Sequence, residues 1–196
     1  MKHLFFSLVF MFTATAFLQA QAPSYKDFEW DVIKLGYVLP GGGEYSSGGL
    51  GGGELRLNLR DDLSIGLRTE SATFDHAFDD DEFEVEATWS WAATADYYFN
   101  TSSPYRAFAG LGFGSFTEGD IKGKDDDVIF RKGITSSGLV TRVGYEYGHL
   151  RISAEYNIMM KEAGTNYFTF SAALTLWGGY TGNRKSSSPK DSRIGM

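Results

Sequence analysis

Leu139-Val-Thr-Arg-Val-Gly-Tyr-Glu-Tyr-Gly-His-Leu-Arg-Ile-Ser-Ala-Glu-Tyr-Asn-Ile158 decides the fold. Leu139, Val143, Tyr145 and Tyr147 alternate with Arg142, Gly144 and Glu146. After Gly148-His149 the alternation resumes, with Leu150, Ile152, Ala154, Tyr156 and Ile158 set against Arg151, Ser153, Glu155 and Asn157. A period of two on both sides of a two-residue break is the pattern of a β-hairpin with a tight turn. One face of the hairpin is apolar and aromatic, and the other carries charge.

The same pattern extends in both directions along the chain. Leu55-Arg-Leu-Asn-Leu-Arg60, a break at Asp61-Asp62, and Leu63-Ser-Ile-Gly-Leu-Arg-Thr-Glu70 form a second hairpin. Trp89, Trp91, Ala93, Ala95, Tyr97 and Phe99 share a face opposite Ser90, Thr94, Asp96 and Asn100. Tyr105 to Gly114 follows Thr101-Ser-Ser-Pro104, and Phe168 to Leu176 alternates at the C-terminal end. A less regular strand over Trp30 to Val38 brings the expected number to eight, and no segment has helical periodicity.

The links alternate in length. Pro40–Gly53, Phe74–Glu84, Thr117–Ile134 and Lys161–Asn166 are the longer ones, while Asp61-Asp62, Asn100–Pro104 and Gly148-His149 are short. One end of the sheet therefore carries loops and the other carries turns. Transmembrane barrels have this asymmetry.

Composition agrees with an all-β chain. Of 196 residues, 42% are hydrophobic and 16% aromatic, with 24 glycines and only 4 prolines. The mean hydropathy is still only −0.23, because apolar residues are interleaved with polar ones. There is no cysteine, which excludes a disulfide framework, a thiolate metal site and an acylated N-terminal anchor. The net charge of −7 argues against a nucleic-acid partner. Lys2 and His3 precede an apolar run from Leu4 to Leu18 that ends at Gln19-Ala-Gln-Ala22, the composition of a secretory signal peptide. The expected organisation is a leader over 1–20 (cleavage after 20 or 22), a barrel over 23–180, and a polar tail over 181–196.

Alternation alone leaves open which face is inside. The polar face carries Lys34, Arg56, Arg68, Arg106, Arg142 and Arg151 against Glu54, Glu70, Asp96, Glu146 and Glu155. An eight-stranded barrel has an interior just wide enough for side chains, and charges enclosed there must pair. The near-balance suits an inward, ion-paired lumen with the apolar face turned to lipid. The alternative is a soluble lipocalin-like barrel that encloses an apolar ligand.

Arg142-Val-Gly-Tyr-Glu146, His149 to Asn157, Pro104 to Gly114 and Tyr167 to Trp177 resemble the small outer-membrane β-barrel domain of Bacteroidota, and more distantly the OmpA/OmpX-type barrels. The resemblance implies an eight-stranded antiparallel up-and-down barrel in the outer membrane, mostly without known activity. Its partners would be outer-membrane lipid, lipopolysaccharide and the barrel-assembly machinery. Many such barrels end on an aromatic residue that serves this machinery; here Trp177 and Tyr180 precede the polar tail.

No cofactor is expected and no catalytic set stands out. His149, Ser153 and Glu155 invite comparison with lipid A-modifying barrel enzymes, but His149 and Ser153 lie four residues apart, roughly 13 Å along a strand. Two acidic runs in the long links, Asp79, Asp80 and Asp81 with Glu82, and Asp125, Asp126 and Asp127 with Asp120, are weak candidates for divalent cations through carboxylate oxygens. The same links are the expected place for an extracellular ligand, since loops on a rigid scaffold carry most binding functions.

Overall fold

The computed structural model describes residues 25–41, 45–76, 83–85, 87–119, 121–123, 129–131, 133–160 and 165–180. Eight long strands form one closed antiparallel barrel. They are β1 (Phe28–Pro40), β2 (Gly48–Arg60), β3 (Leu63–Ala72), β4 (Thr88–Phe99), β5 (Tyr105–Thr117), β6 (Thr135–Tyr147), β7 (Leu150–Met159) and β8 (Tyr167–Leu176). Each strand pairs with its sequence neighbours, and β1 closes on β8 through Trp30 opposite Leu176 and Pro40 opposite Tyr167. Closure leaves no edge strand in the barrel wall, so the backbone ladder satisfies its own polar groups. At 10 to 13 residues, every strand is long enough to cross a hydrocarbon core when tilted.

The two hairpins read from the sequence have the expected turns. Arg60 pairs with Leu63 across Asp61-Asp62, and Tyr147 pairs with Leu150 across Gly148-His149. Gly148 takes φ +58 at the first central position of its turn, the left-handed region a type II′ hairpin turn asks for.

The irregularity of β1 has a specific cause. Asp31 pairs with Glu54 and Lys34 with Gly52, so Val32 and Ile33 together oppose one residue, Gly53. This β-bulge resets the alternation. Asp31 and Lys34, three positions apart, are consequently both buried, while Trp30, Ile33 and Leu35 are exposed.

The long links contain more structure than their composition suggests. Gly48 to Gly53, within the glycine-rich first link, belongs to β2. Beyond the barrel, Tyr45–Ser46 pairs with Asp75–His76. Phe83–Val85, Ile121–Gly123 and Ile129–Arg131 form a small sheet with the 121–123 segment in the middle.

The interior has two zones. Charged residues fill the turn side and the middle. Toward the loops, Val38, Leu50, Ala72, Phe74, Ala92, Phe116, Val140, Met159 and Tyr167 form an apolar seal. Phe74 and Phe116 both set their rings edge-on to Tyr167, at 5.5 and 6.4 Å. The sequence reading anticipated charge throughout the interior; the apolar seal is an addition, built by residues nearer the loops than the ion pairs.

Inward glycines make room for the long cations. A Cβ on Gly110 would stand 2.0 Å from Asp96 Oδ1 and 2.9 Å from the Ala95 carbonyl. Gly110→Ala is expected to cost about 1–3 kcal/mol by displacing Asp96 from its partners. Gly51→Ala, where a Cβ would meet nothing within 4 Å, should stay within about 0.5 kcal/mol. Urea unfolding of the two variants in lipid vesicles checks the difference.

Candidate functional site: an ion-paired lumen

Seven carboxylates and six cations are buried inside the barrel among the described residues. They fall into three levels, from turns to loops. At the turn side, Arg106 donates to both oxygens of Glu29 at 3.0 and 3.2 Å and to Glu146 Oε2 at 2.7 Å. Its guanidinium lies between the rings of Tyr25 and Tyr98, 3.8 and 3.6 Å from their centroids. Arg56 pairs with Glu29 and Asp31, each at 2.9 Å, and with Glu146. The Tyr98 hydroxyl accepts from Arg56 at 2.7 Å and from Arg151 at 3.0 Å.

In the middle, Arg142 spans two carboxylates. Its two Nη atoms donate to Glu54 at 2.8 Å each, while Nε and Nη2 donate to Asp96 at 2.7 and 2.8 Å. Arg151 reaches Asp96 Oδ2 at 2.7 Å and links this level to the one below. Thr94 donates to Glu54 Oε1 at 2.6 Å. The fork geometry is one that arginine can supply and lysine cannot.

On the loop side, Lys34 pairs with Glu70 and Glu155 at 2.5 Å each. Arg68 pairs with Glu155, stands 3.2 Å from Glu70 Oε2, and donates to Asn157 Oδ1 at 2.9 Å. Ser153 donates to Glu155 Oε1 at 2.8 Å. Lys34, Arg56, Arg68, Glu70, Asp96, Arg106, Arg142, Glu146, Arg151 and Glu155 are thus all inward, in two sets: Lys34, Arg68, Glu70 and Glu155 share partners on the loop side, and the others share partners through the middle and turn side.

Sequence reasoning missed four members of this interior. Glu29 and Asp31 lie on β1 where the bulge spoils the alternation, although their placement either side of Trp30 was a usable signal. Tyr98 shares a parity with Thr94 and Asp96 and was passed over because it is aromatic. Tyr25, just ahead of β1, closes the turn-side mouth. Its hydroxyl donates to the Ser103 carbonyl, and its backbone bridges to Tyr180, whose ring is 5.5 Å away. Burial pushes the Tyr25 phenol up to about 12, so it is a neutral stopper at physiological pH.

The other candidates are not brought together. The Nδ1 atom of exposed His149 meets the Thr175 carbonyl at 2.9 Å, while buried Ser153 is engaged with Glu155 and Ser171. Asp79, Asp80, Asp81, Asp125, Asp126 and Asp127 lie outside the described residues.

The exterior is the inverse of the interior. Within the eight strands, every charged side chain is buried except that of Arg60, at the end of β2, which pairs with Asp62 in the turn. Outward positions instead carry residues such as Leu35, Leu67, Leu111, Phe113, Val143, Ile152 and Leu174, all exposed. Aromatic pairs ring the turn-side rim: Trp30 stacks on Trp177 at 6.3 Å and Tyr105 on Tyr147 at 5.9 Å. Trp89 and Trp91 are exposed near the loop side. On β5 the apolar face from Tyr105 to Phe113 spans about 20 Å along the barrel axis, allowing for strand tilt.

A closed eight-stranded up-and-down barrel, apolar outside and ion-paired inside, is the architecture of small transmembrane barrels. The fold resembles solved structures of that class. The crystal structure of Neisserial surface protein A matches with a TM-score of 0.58 at 17% identity, over 78% of this chain and 97% of that one. The N-terminal β-barrel domain of Pseudomonas aeruginosa OprF matches with a TM-score of 0.48 at 16% identity, over 80% of this chain and 100% of that one. Ail, the attachment invasion locus protein of Yersinia pestis, matches with a TM-score of 0.47 at 15% identity, over 79% of this chain and 99% of that one. These likenesses are of fold. No family model matches the sequence, and no curated protein matches it.

Removing one partner of a buried network strands the others. Arg142→Met is expected to cost about 3–5 kcal/mol, because Glu54 and Asp96 lose their shared cation. Arg60→Ala, at the exposed turn pair, should leave the unfolding midpoint unchanged. Parallel urea titrations of the two variants in vesicles give the comparison.

Proposed function

We propose that this chain is an outer-membrane barrel protein of a Gram-negative cell, with a structural or surface-recognition role and no enzymatic one. The observation that carries this reading is the segregation of charge: the strands turn charge inward and an apolar, aromatic-rimmed band outward. In water such a band would be an aggregation surface far larger than soluble monomers expose. In lipid it is the required exterior.

A sealed lumen points away from transport. Ion pairs fill the turn side and middle, Tyr25 closes one mouth, and the Phe74–Phe116–Tyr167 cluster closes the other. Wide aqueous channels need many more strands. The loop side is therefore the surface left to act. The links there extend the barrel beyond its wall, and they would stand outside the cell while the short turns face the periplasm. A soluble barrel holding an apolar ligand finds no support in an interior of this polarity. A lipid A-modifying activity finds none in the separate engagements of His149 and Ser153.

Two measurements test the proposal. An epitope inserted between Gly123 and Ile129 should be labelled by antibody on intact cells, whereas one inserted at Asp61-Asp62 should be labelled only after permeabilisation. The reverse pattern, or no label at either site on intact cells, would refute the orientation. Leu111→Arg, at mid-height on the outer face, should cost about 2–4 kcal/mol in vesicles. A neutral result would argue that this face meets water.

A further inference from the structure

The segments that flank the barrel, 25–27 and 178–180, cross its turn-side mouth together. After β8, Trp177 takes φ +46, a left-handed conformation that bulky side chains rarely adopt. Its ring stacks on Trp30, and the chain turns inward through Gly178 and Gly179, the latter at φ +91. A Cβ on Gly178 would stand 2.8 Å from both Glu29 Cγ and Thr175 Cγ2, so this segment lies tight against the lumen. The Gly179 N–H donates to Glu29 Oε1 at 3.2 Å, and its carbonyl accepts from the Lys26 N–H at 3.4 Å. Tyr180 then meets Tyr25 in an antiparallel bridge.

The paired segments form a strap across the mouth. They start at the seam between β1 and β8 and reach the link between β4 and β5, which lies opposite that seam in the strand order. There the Tyr25 hydroxyl donates to the Ser103 carbonyl, and the Tyr180 hydroxyl donates to the Ser102 carbonyl at 3.2 Å. On one flank the Asp27 and Lys26 carbonyls accept from the backbone and side-chain N–H groups of Asn58, each at 2.7 Å. The Tyr25 N–H reaches Asp61 Oδ1 at 3.3 Å. The Tyr25 ring covers the Arg106 guanidinium, so the strap also caps the ion pairs.

The seam is where such a tie has most effect. Every other junction in the wall joins consecutive strands, whereas β1 and β8 come from opposite ends of the barrel sequence. The strap needs both of those strands and the β4–β5 link in place at once. Before closure, each of its contacts would have to bridge a long open loop of chain. They are therefore made after the seam has formed.

We propose that the strap is a latch, which must release before the β1–β8 seam can part from the turn side. Contacts made after closure slow unfolding and leave folding alone. The latch thus sets how long the closed barrel lasts, not how fast it forms.

Tyr25→Phe combined with Tyr180→Phe cuts both ties to the β4–β5 link and keeps the ring over Arg106. In urea, the double variant in lipid vesicles should unfold about tenfold faster than the unmodified chain, with refolding unchanged within about twofold. Gly179→Val, which strains the strap at a positive φ and removes no ion-pair partner, should behave the same way. An unchanged unfolding rate in both variants would overturn the proposal. So would refolding that is slowed in step or lost, because closure would then need the strap. Amide hydrogen exchange on the unmodified chain gives a test that needs no variant. The Asn58 and Gly179 amides, which the strap protects, should exchange no more slowly than the seam amides around Trp30 and Leu176. Faster exchange at the seam than at Asn58 and Gly179 would mean that it opens with the strap in place, and would overturn the latch.

Discussion

A barrel of eight strands is only as wide as the side chains that fill it, and among its described residues this one encloses seven carboxylates and six cations. Charges so confined cannot recruit bulk solvent, so each must meet an opposite charge or a hydrogen-bonding group within the wall. That constraint governs most of what else is seen. Arginine is preferred to lysine because one guanidinium can serve two carboxylates, as Arg142 does for Glu54 and Asp96. Tyr98 is inside because a hydroxyl between Arg56, Arg151 and Glu146 supplies a further acceptor and donor. Small inward residues are needed where the charged side chains crowd, as at Gly110, where a Cβ would stand 2.0 Å from Asp96 Oδ1.

The same confinement separates the protein's two surfaces. Once charge is committed to the inside, the outside is free to be largely apolar, and the band from Tyr105 to Phe113 with its aromatic rims follows. The apolar seal at the loop end completes the arrangement. It lies between the ion pairs and the long links, so whatever the links meet outside the barrel does not reach the charges. A rigid, filled cylinder that presents its long links from one end is a scaffold, and the proposed surface role uses it as one.

Much of this was legible in the sequence, and the exceptions have physical causes. The faces of Trp89 to Phe99 and Leu139 to Ile158 could be read directly, because period two is unbroken there and the side chains differ sharply in polarity. Along β1 the bulge at Val32-Ile33 shifts the parity, so Glu29 and Asp31 were hidden while Lys34 was not. Gly48 to Gly53 carries a single side chain beyond glycine, Leu50, too little to read a face from, and it looked like a loop although it is strand. The acidic composition of the outer links masked their short paired segments, since backbone pairing leaves little trace in composition. Which carboxylate each arginine takes was beyond reach altogether. Arg68 on β3 meets Glu155 on β7 across the barrel, a contact set by closure and stagger rather than by neighbouring strands.

The central claim is that closure around charge leaves an exterior made for lipid. The most direct measurement is electrophoresis of the isolated outer-membrane fraction in detergent, with and without boiling. A closed, ion-paired transmembrane barrel should be recovered in that fraction and run as a compact band that shifts only after boiling. Recovery in the soluble periplasm, with the same mobility boiled or unboiled, would contradict it.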